Sequence, residues 1–505
     1  MERRVWFGIT RRPRAGRTPV IPFTLAEIAA ATDGTLDAVP DPDARVTAAV
    51  VTDSREAGPG GLFVARQGEA RDGHDFASAA VDAGAVAVLA ARPVGVPAVV
   101  VDDTEVAFGR LARAVVDKLN SGLGGETYLD RRPPLTVVGV TGSSGKTTTK
   151  DLLAQVLEPL GPLVAPPGSY NSEIGVPLTV TRVDEDTRTL VVEMGARGPG
   201  HIANLCGIAP PTVGIVLNVG SAHLGEFGDR ETIARAKAEL VQALPETGTA
   251  VLNGDDQVVR RMADQTAATV LMVGESVHAD VRAEDVELDD TGRASFQLIT
   301  PDGAAPVSLR LVGEHQVGNA LAVAAAAHAL GLTVDVVAQR LSAAEARSRW
   351  RMEVSERPDG VTIVNDAYNA NPESMRAALK TLVSIRPAGA PDETDPAERP
   401  PGRTWAVLGE MLELGESSVA EHEAIGRLAV RLNVSRLVAV GDGARAIHQG
   451  AALEGSWAGE SVLVPDVEAA YALLHDELRA GDVVLVKSSR DAGLRFLGDR
   501  LVETP

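Results

Sequence analysis

The chain carries one cysteine, Cys206, in 505 residues. No disulfide can form within it, and no cysteine cage for a metal can be built. Aromatic residues make up only 3%, so the cores must be assembled from alanine, valine and leucine. Lysine is nearly absent: Lys118, Lys146, Lys150, Lys237, Lys380 and Lys487 stand against 42 arginines. In that background a retained lysine can mark amine chemistry or a compact point charge that a guanidinium does not supply; chance retention is the plainer reading for some of them. Positive charge as a whole is in deficit, with 48 Lys+Arg against 69 Asp+Glu and a formal net charge of −21. That balance argues against binding nucleic acid or anionic lipid through bulk charge. An anionic substrate would need local cations or metal ions. Long apolar runs are lacking too. The longest, Leu321 to Leu330, is mostly alanine and interrupted by His328. It is too short to span a bilayer and reads as a buried helix, so no membrane insertion is expected.

What is present is 45% hydrophobic residues over a length that suggests about three domains. Residues 1–20 read as a basic, disordered extension. Its two Arg-Arg pairs lack the apolar stretch of an export signal, residues 1–19 are expected to be dispensable, and Val20 lies nearer the expected true start. A first unit, 21–130, alternates short strands with helix-like stretches and ends in a linker from Ser121 to Pro134. A second, 131–346, opens with the apolar strand Leu135 to Val140. Further continuous apolar strands at Thr189 to Val192, Val213 to Val219 and Thr249 to Leu252 predict a parallel sheet covered on both faces. A third, 347–505, repeats that grammar and reads as a doubly wound, dinucleotide-type domain, although no G-x-G-x-x-G occurs. Pro387 to Gly402 holds five prolines and reads as a floppy surface insertion.

Chemistry concentrates after Val140. Gly142-Ser143-Ser144-Gly145-Lys146-Thr147-Thr148 follows a buried strand and opens a helix. That is the setting of a phosphate-binding loop, in the short G-x-x-G-K-T form without the usual first glycine. Its N–H groups and helix terminus would meet a phosphate, Lys146 would neutralise charge, and the Thr147 hydroxyl would suit Mg²⁺. Lys150, one turn on, reads as a solvated helix lysine. A nucleotide-gated switch or motor would carry the same loop. Glu193 and His223, however, sit just past the ends of neighbouring strands. Singly each is an ordinary loop residue; together they suit a second Mg²⁺.

With Glu193-Met194-Gly195, Ser221-Ala222-His223-Leu224, Ala236-Lys237-Ala238-Glu239, His315-Gln316-Val317-Gly318-Asn319-Ala320, Trp350-Arg351-Met352 and Asn365-Asp366-Ala367-Tyr368-Asn369-Ala370-Asn371-Pro372, the chain resembles the Mur ligase family of ATP-dependent amide ligases from about 21 to 500. Gln316 where the family usually has Asn, and Ser488-Ser489 in place of Gly-Ser, are departures. The last motif, Asn171-Ser172-Glu173-Ile174-Gly175 and Leu408-Gly409-Glu410-Met411-Leu412-Glu413-Leu414-Gly415 resemble members that accept D-alanyl-D-alanine.

The resemblance implies a three-domain α/β architecture with a central phosphate-loop sheet and a Rossmann-like C-terminal domain. It implies a cytoplasmic, monomeric ligase of peptidoglycan precursor synthesis joining D-alanyl-D-alanine to UDP-N-acetylmuramoyl-tripeptide through an acyl phosphate. Another acceptor, as in other Mur ligases or folylpolyglutamate synthetases, is the alternative, with a non-ligase nucleotide-gated protein behind it. By the same resemblance Gly142 to Thr148, Asn319, Arg351 and Asp366 bind ATP. Lys146, Glu193, His223 and Lys237 are catalytic. Thr147, Glu193, His223 and a carbamylated Lys237 hold Mg²⁺. Asp53, Ser54 and Arg55 anchor the uridine diphosphate, Asn171 and Ser172 approach the muramoyl-peptide, and Tyr368, Asn369, Asn371 and Lys487 serve the dipeptide or closure.

Overall fold

A computed structural model describes residues 20–68, 71–121, 133–220, 224–386, 402–457 and 459–503. The extension expected at 1–19 and the proline-rich insertion at 387–401 lie outside the described residues. Beside a small antiparallel pair, Phe23–Thr24 with Arg45–Val46, three larger sheets follow one another along the chain. The first has five strands in the order Thr35–Asp37, Ala98–Val100, Ala87–Ala90, Leu62–Val64 and Val50–Val51. Only its Thr35–Asp37 edge runs antiparallel. Helix Thr104–Ser121 packs its Phe108 and Leu111 into a core shared with Val176 and Ile208 of the second unit. Arg113 also donates to the Gly207 carbonyl at 3.0 Å, so the first unit is fixed to the second by packing rather than by linker alone.

The second sheet has nine strands. Leu163–Val164, Thr189–Glu193, Thr136–Thr141, Val213–Val216, Thr249–Asn253 and Thr269–Gly274 are parallel, as continuous apolar strands demand. The expectation of a wholly parallel, doubly covered sheet fails beyond them. Val281–Leu288, Arg293–Thr300 and Gly303–Val312 form an antiparallel extension. The last two of these strands alternate buried and exposed residues, the period-2 pattern of a sheet with one wet face, which unbroken apolar runs do not reveal. Helix Gln316–Ala329 lies against this sheet, with Ala322 and Ala324 to Ala327 at most 1% exposed. Small side chains on this helix allow the close packing that a core poor in aromatics requires.

The third sheet orders Glu353–Glu356, Thr362–Asn365, Val483–Lys487, Thr404–Leu408, Arg436–Val440 and Ser461–Val464. All pairings are parallel except at the Glu353–Glu356 edge. The C-terminal strand ends of the second and third sheets face one cleft, where ligands of open α/β sheets bind. Among the described residues no helix is long and apolar enough to cross a membrane.

Candidate active site

The loop between strand Thr136–Thr141 and helix Lys146–Val156 is tight because two glycines allow it. Gly145 has φ +82°, and a β-carbon there would lie 2.5 Å from Asn319 Oδ1. The loop is tied to the next strand end. Ser144 N donates to Asn218 Oδ1 at 3.0 Å, and Gly220 N donates to the Ser143 hydroxyl at 2.9 Å. Lys146 curls back to donate to the Gly142 carbonyl at 2.5 Å. Burial lowers the pKa of its ammonium, Glu193 opposing and Arg351 adding to the shift. Asn319 braces the loop from behind, accepting from Thr149 at 3.4 Å and donating to Gln316 Oε1 at 2.8 Å.

At the helix start Thr147 forms a polar knot. Its hydroxyl lies 3.0 Å from Glu193 Oε2 and 2.7 Å from the Ser169 hydroxyl, and it accepts from Arg351 Nη2 at 3.3 Å. Glu193 ends its strand only 1% exposed, and its other oxygen accepts from Asn171 Nδ2 at 2.8 Å. Arg351 comes from the third unit. It also donates to Ser169 at 3.1 Å and stacks on Tyr368 at 4.1 Å, while its buried Nε has no partner. Trp350 and Met352, on either side, both have positive φ, 59° and 51°. Such left-handed backbone at bulky residues is strained, and here it bends the chain so that Arg351 enters the cleft.

The cleft holds about 640 Å³ and is lined by all three units, with Arg66 and Glu105 from the first, the phosphate loop and Lys237 from the second, and Asp366, Leu412 and Arg490 from the third. A Mur ligase middle-domain model matches residues 140–327, a Mur ligase glutamate ligase domain model 350–490, and a Mur ligase family catalytic-domain model 47–124. Over 511 aligned residues the chain is 51% identical to the UDP-N-acetylmuramoyl-tripeptide--D-alanyl-D-alanine ligase of Mycobacterium tuberculosis H37Rv, covering 96% of this chain and 98% of that one.

The chain belongs to the Mur ligase family. Its solved relatives include MurF from Acinetobacter baumannii, with a TM-score of 0.82 at 32% identity over 96% of this chain and 100% of that one. The MurF ligase of Thermotoga maritima, solved in complex with ADP, has a TM-score of 0.73 at 32% identity over 90% and 98%.

Other residues expected at a Mur ligase site divide into groups. Gly142 to Thr148, Glu193, Lys237, Asn171, Ser172, Asn319, Arg351, Asp366, Tyr368, Asn369, Asn371 and Lys487 all line the cleft. His223 lies outside the described residues. Asp53, Ser54 and Arg55 do not line the cleft. Asp53 caps the turn Ser54–Glu56 and pairs with Arg55 at 2.6 Å, whose side chain is 80% exposed. Several cleft residues are engaged by their own neighbours. Lys487 donates to Asp366 Oδ2 at 2.5 Å and to the Asn369 carbonyl at 3.0 Å. Asn371 caps helix Pro372–Ser384 and donates to the Ser143 carbonyl at 3.2 Å.

Lys237 is 6% exposed. Burial first, then the charge of Lys146, holds its pKa well below the ordinary lysine value. Lys150 is not the solvated lysine expected. It is 1% exposed, pairs with Asp151 and donates to the Pro166 carbonyl at 2.9 Å, because Asp151 compensates its charge inside the helix packing. Ser169 escaped sequence reasoning. Its signal was a hydroxyl beside Gly168, two residues before Asn171.

Proposed function

We propose that this chain joins D-alanyl-D-alanine to UDP-N-acetylmuramoyl-tripeptide at the cost of ATP, in cytoplasmic assembly of peptidoglycan precursors, acting as a monomer of units 21–130, 131–346 and 347–505. The reading is carried by one arrangement: a phosphate loop whose Thr147 meets a buried carboxylate from its own unit and an arginine from the third. It is supported by identity along nearly the whole chain to relatives of that name.

In this mechanism the terminal carboxylate of the tripeptide attacks the γ-phosphorus. An acyl phosphate forms and ADP leaves. The dipeptide amine then attacks the acyl carbon, phosphate departs, and the amine proton is released with it. A carboxylate and a triphosphate repel each other, so the cleft must supply cations where charge accumulates. Lys146 and Arg351 do so from the two sides of Thr147. Asn319 sits behind the loop, where it braces the turn and borders the adenine end. Asp366, held by Lys487 and the Met352 amide at 3.0 Å, borders the nucleotide from the third unit.

A divalent ion fits the donors present. The Thr147 hydroxyl and Glu193 carboxylate are hard oxygens 3.0 Å apart beside the loop. That sparse set suits Mg²⁺, which keeps water and phosphate oxygens as ligands. When bound, Mg²⁺ neutralises charge on the phosphates. His223 belongs to the same proposed set.

Lys237 deepens it: a neutral amine adds CO₂ to become a carbamate anion with loss of a proton, and the depressed pKa of Lys237 favours that neutral amine. A carbamate would place a further oxygen donor in the cleft. Asp53, Ser54 and Arg55, remote from this cleft in the first unit, suit the uridine diphosphate end, and Asn171 and Ser172 the peptide between.

Phosphate release is the test. UDP-muramoyl-tripeptides bearing lysine or meso-diaminopimelate are incubated with ATP and either D-alanyl-D-alanine, single amino acids or glutamate. Turnover only with the dipeptide is expected. Turnover with a single amino acid, or ATP hydrolysis indifferent to the muramoyl acceptor, would overturn the reading.

A further inference from the structure

The dipeptide has one permanent anion, its C-terminal carboxylate, and the cleft must answer it without diverting the cations at the phosphates. Of the cations lining the third-unit side, Arg351 is committed to Thr147 and Ser169, and Lys487 to Asp366 and the Asn369 carbonyl. Arg490 lines the same cleft, its side chain is exposed, and among the described residues no carboxylate pairs with it. The ring of Tyr368 connects the two ends. Arg351 lies 4.1 Å from its centroid and Arg490 5.8 Å. Leu412, 38% exposed, borders the cleft, and its backbone N–H is held at 2.9 Å by the hydroxyl of Ser489, the residue preceding Arg490.

Resting on the reading above, the geometry points to Arg490 as the receptor for the terminal carboxylate of the incoming dipeptide. The two alanine methyls would lie along the Tyr368 ring and Leu412. Two extended residues span at most about 7 Å. A dipeptide anchored at Arg490 therefore carries its amine along Tyr368 toward the Arg351 end, where the acyl phosphate forms. A guanidinium takes a carboxylate through two parallel N–H bonds, which orients the ligand as well as attracting it. Tyr368, in this arrangement, is a spacer between two arginines rather than a hydrogen-bonding group. Lys487 holds the Asp366–Asn369 turn that carries that ring, which makes it a positioning residue rather than a dipeptide ligand.

The test uses the full chain and two acceptors, D-alanyl-D-alanine and its C-terminal amide. With unaltered protein the amide should show a KM at least about tenfold higher, the usual scale for losing a charge-assisted hydrogen bond. Arg490→Ala should raise the KM for the acid by a similar factor and abolish the difference between acid and amide. Arg490→Lys should fall between, keeping charge but not the paired bonds. KM values for ATP and for the UDP-tripeptide should stay within about twofold, which also reports that each variant is folded. The assignment is overturned if Arg490→Ala leaves the acid KM unchanged, if acid and amide suffer equally, or if the loss appears in the UDP-tripeptide KM instead. Failure of the unaltered protein to use either acceptor would overturn the ligase reading itself, a distinct outcome.

Discussion

Arg351 donates to the hydroxyl of Thr147 at 3.3 Å although the two residues are 204 positions apart and lie on different units. The phosphate loop is thus completed by a side chain it does not own. Arg351→Ala should lower turnover by on the order of a hundredfold, the scale for removing one preorganised charge from a transition state. It should also weaken ATP use while leaving UDP-tripeptide binding within about twofold. Steady-state kinetics together with calorimetry of the UDP-tripeptide separates the two. Equal loss of both would show that Arg351 supports the whole cleft rather than the phosphates.

Lys237 carries a prediction of different chemistry. A guanidinium keeps positive charge at the same place but does not readily form a carbamate. Lys237→Arg and Lys237→Ala should both lose most activity, and millimolar short carboxylates should partly restore the alanine variant by supplying the missing oxygens. Carbon NMR of protein equilibrated with ¹³C-labelled CO₂ should show a carbamate signal that vanishes in both variants. Near-normal turnover of Lys237→Arg would return Lys237 to an ordinary buried lysine.

Much of this site could be read from residue order, and the reasons are physical. Gly142 to Thr148 announced itself because a phosphate loop is local: strand, turn and helix are consecutive, and each residue type follows from backbone geometry. Glu193 was legible from its place at a strand end. Lys150 was misread because nothing local says that Asp151 and the Pro166 carbonyl will enclose it. The antiparallel strands at 281–312 were missed because Val281–Leu288 is largely polar and the apolar residues of the two strands after it alternate instead of running together. The partners of Lys487 and Asn371 were illegible for a third reason. Lys487 meets Asp366 and the Asn369 carbonyl, and Asn371 the Ser143 carbonyl, only once distant segments come together, although the cap Asn371 makes on Ser374 is local.

Two helices of the third unit meet backbone to backbone. Ser418–Arg431 and Arg445–Leu453 approach at Gly426 and Gly450. A β-carbon on Gly426 would overlap the Ile447 carbonyl oxygen, and one on Gly450 the Glu423 backbone. Neither contact can yield by rotating a side chain. Gly426→Ala should therefore destabilise the protein by about 1–3 kcal/mol or more, the usual cost of overpacking, read as a lower denaturant midpoint with little change in slope. ATP and dipeptide KM values of the folded protein should be retained, since Gly426 does not line the cleft. An unchanged midpoint would mean that the helices separate freely at this crossing.

Cys206 yields a prediction in pH. The thiol is 4% exposed, with Sγ 3.7 Å from Met194 Sδ. Burial, with a smaller contribution from Glu239, pushes its pKa up from 9.0 to about 12. The thiolate is the reactive form, so native protein at pH 8 should resist a disulfide-exchange reagent for hours. In denaturant it should release one equivalent of chromophore at once. The sign of the linked stability follows. Between the unfolded and folded pKa values the folded chain keeps a proton that the unfolded chain gives up, so stability falls as pH rises through that window. Replacing the thiol by Cys206→Ala removes that titration, and the variant should lose less stability than the parent between pH 9 and pH 11, whatever its stability at pH 8. Rapid native labelling at pH 8, or parallel pH profiles for parent and variant, would show that the helix His201–Ile208 opens around Cys206 far more readily than its packing implies.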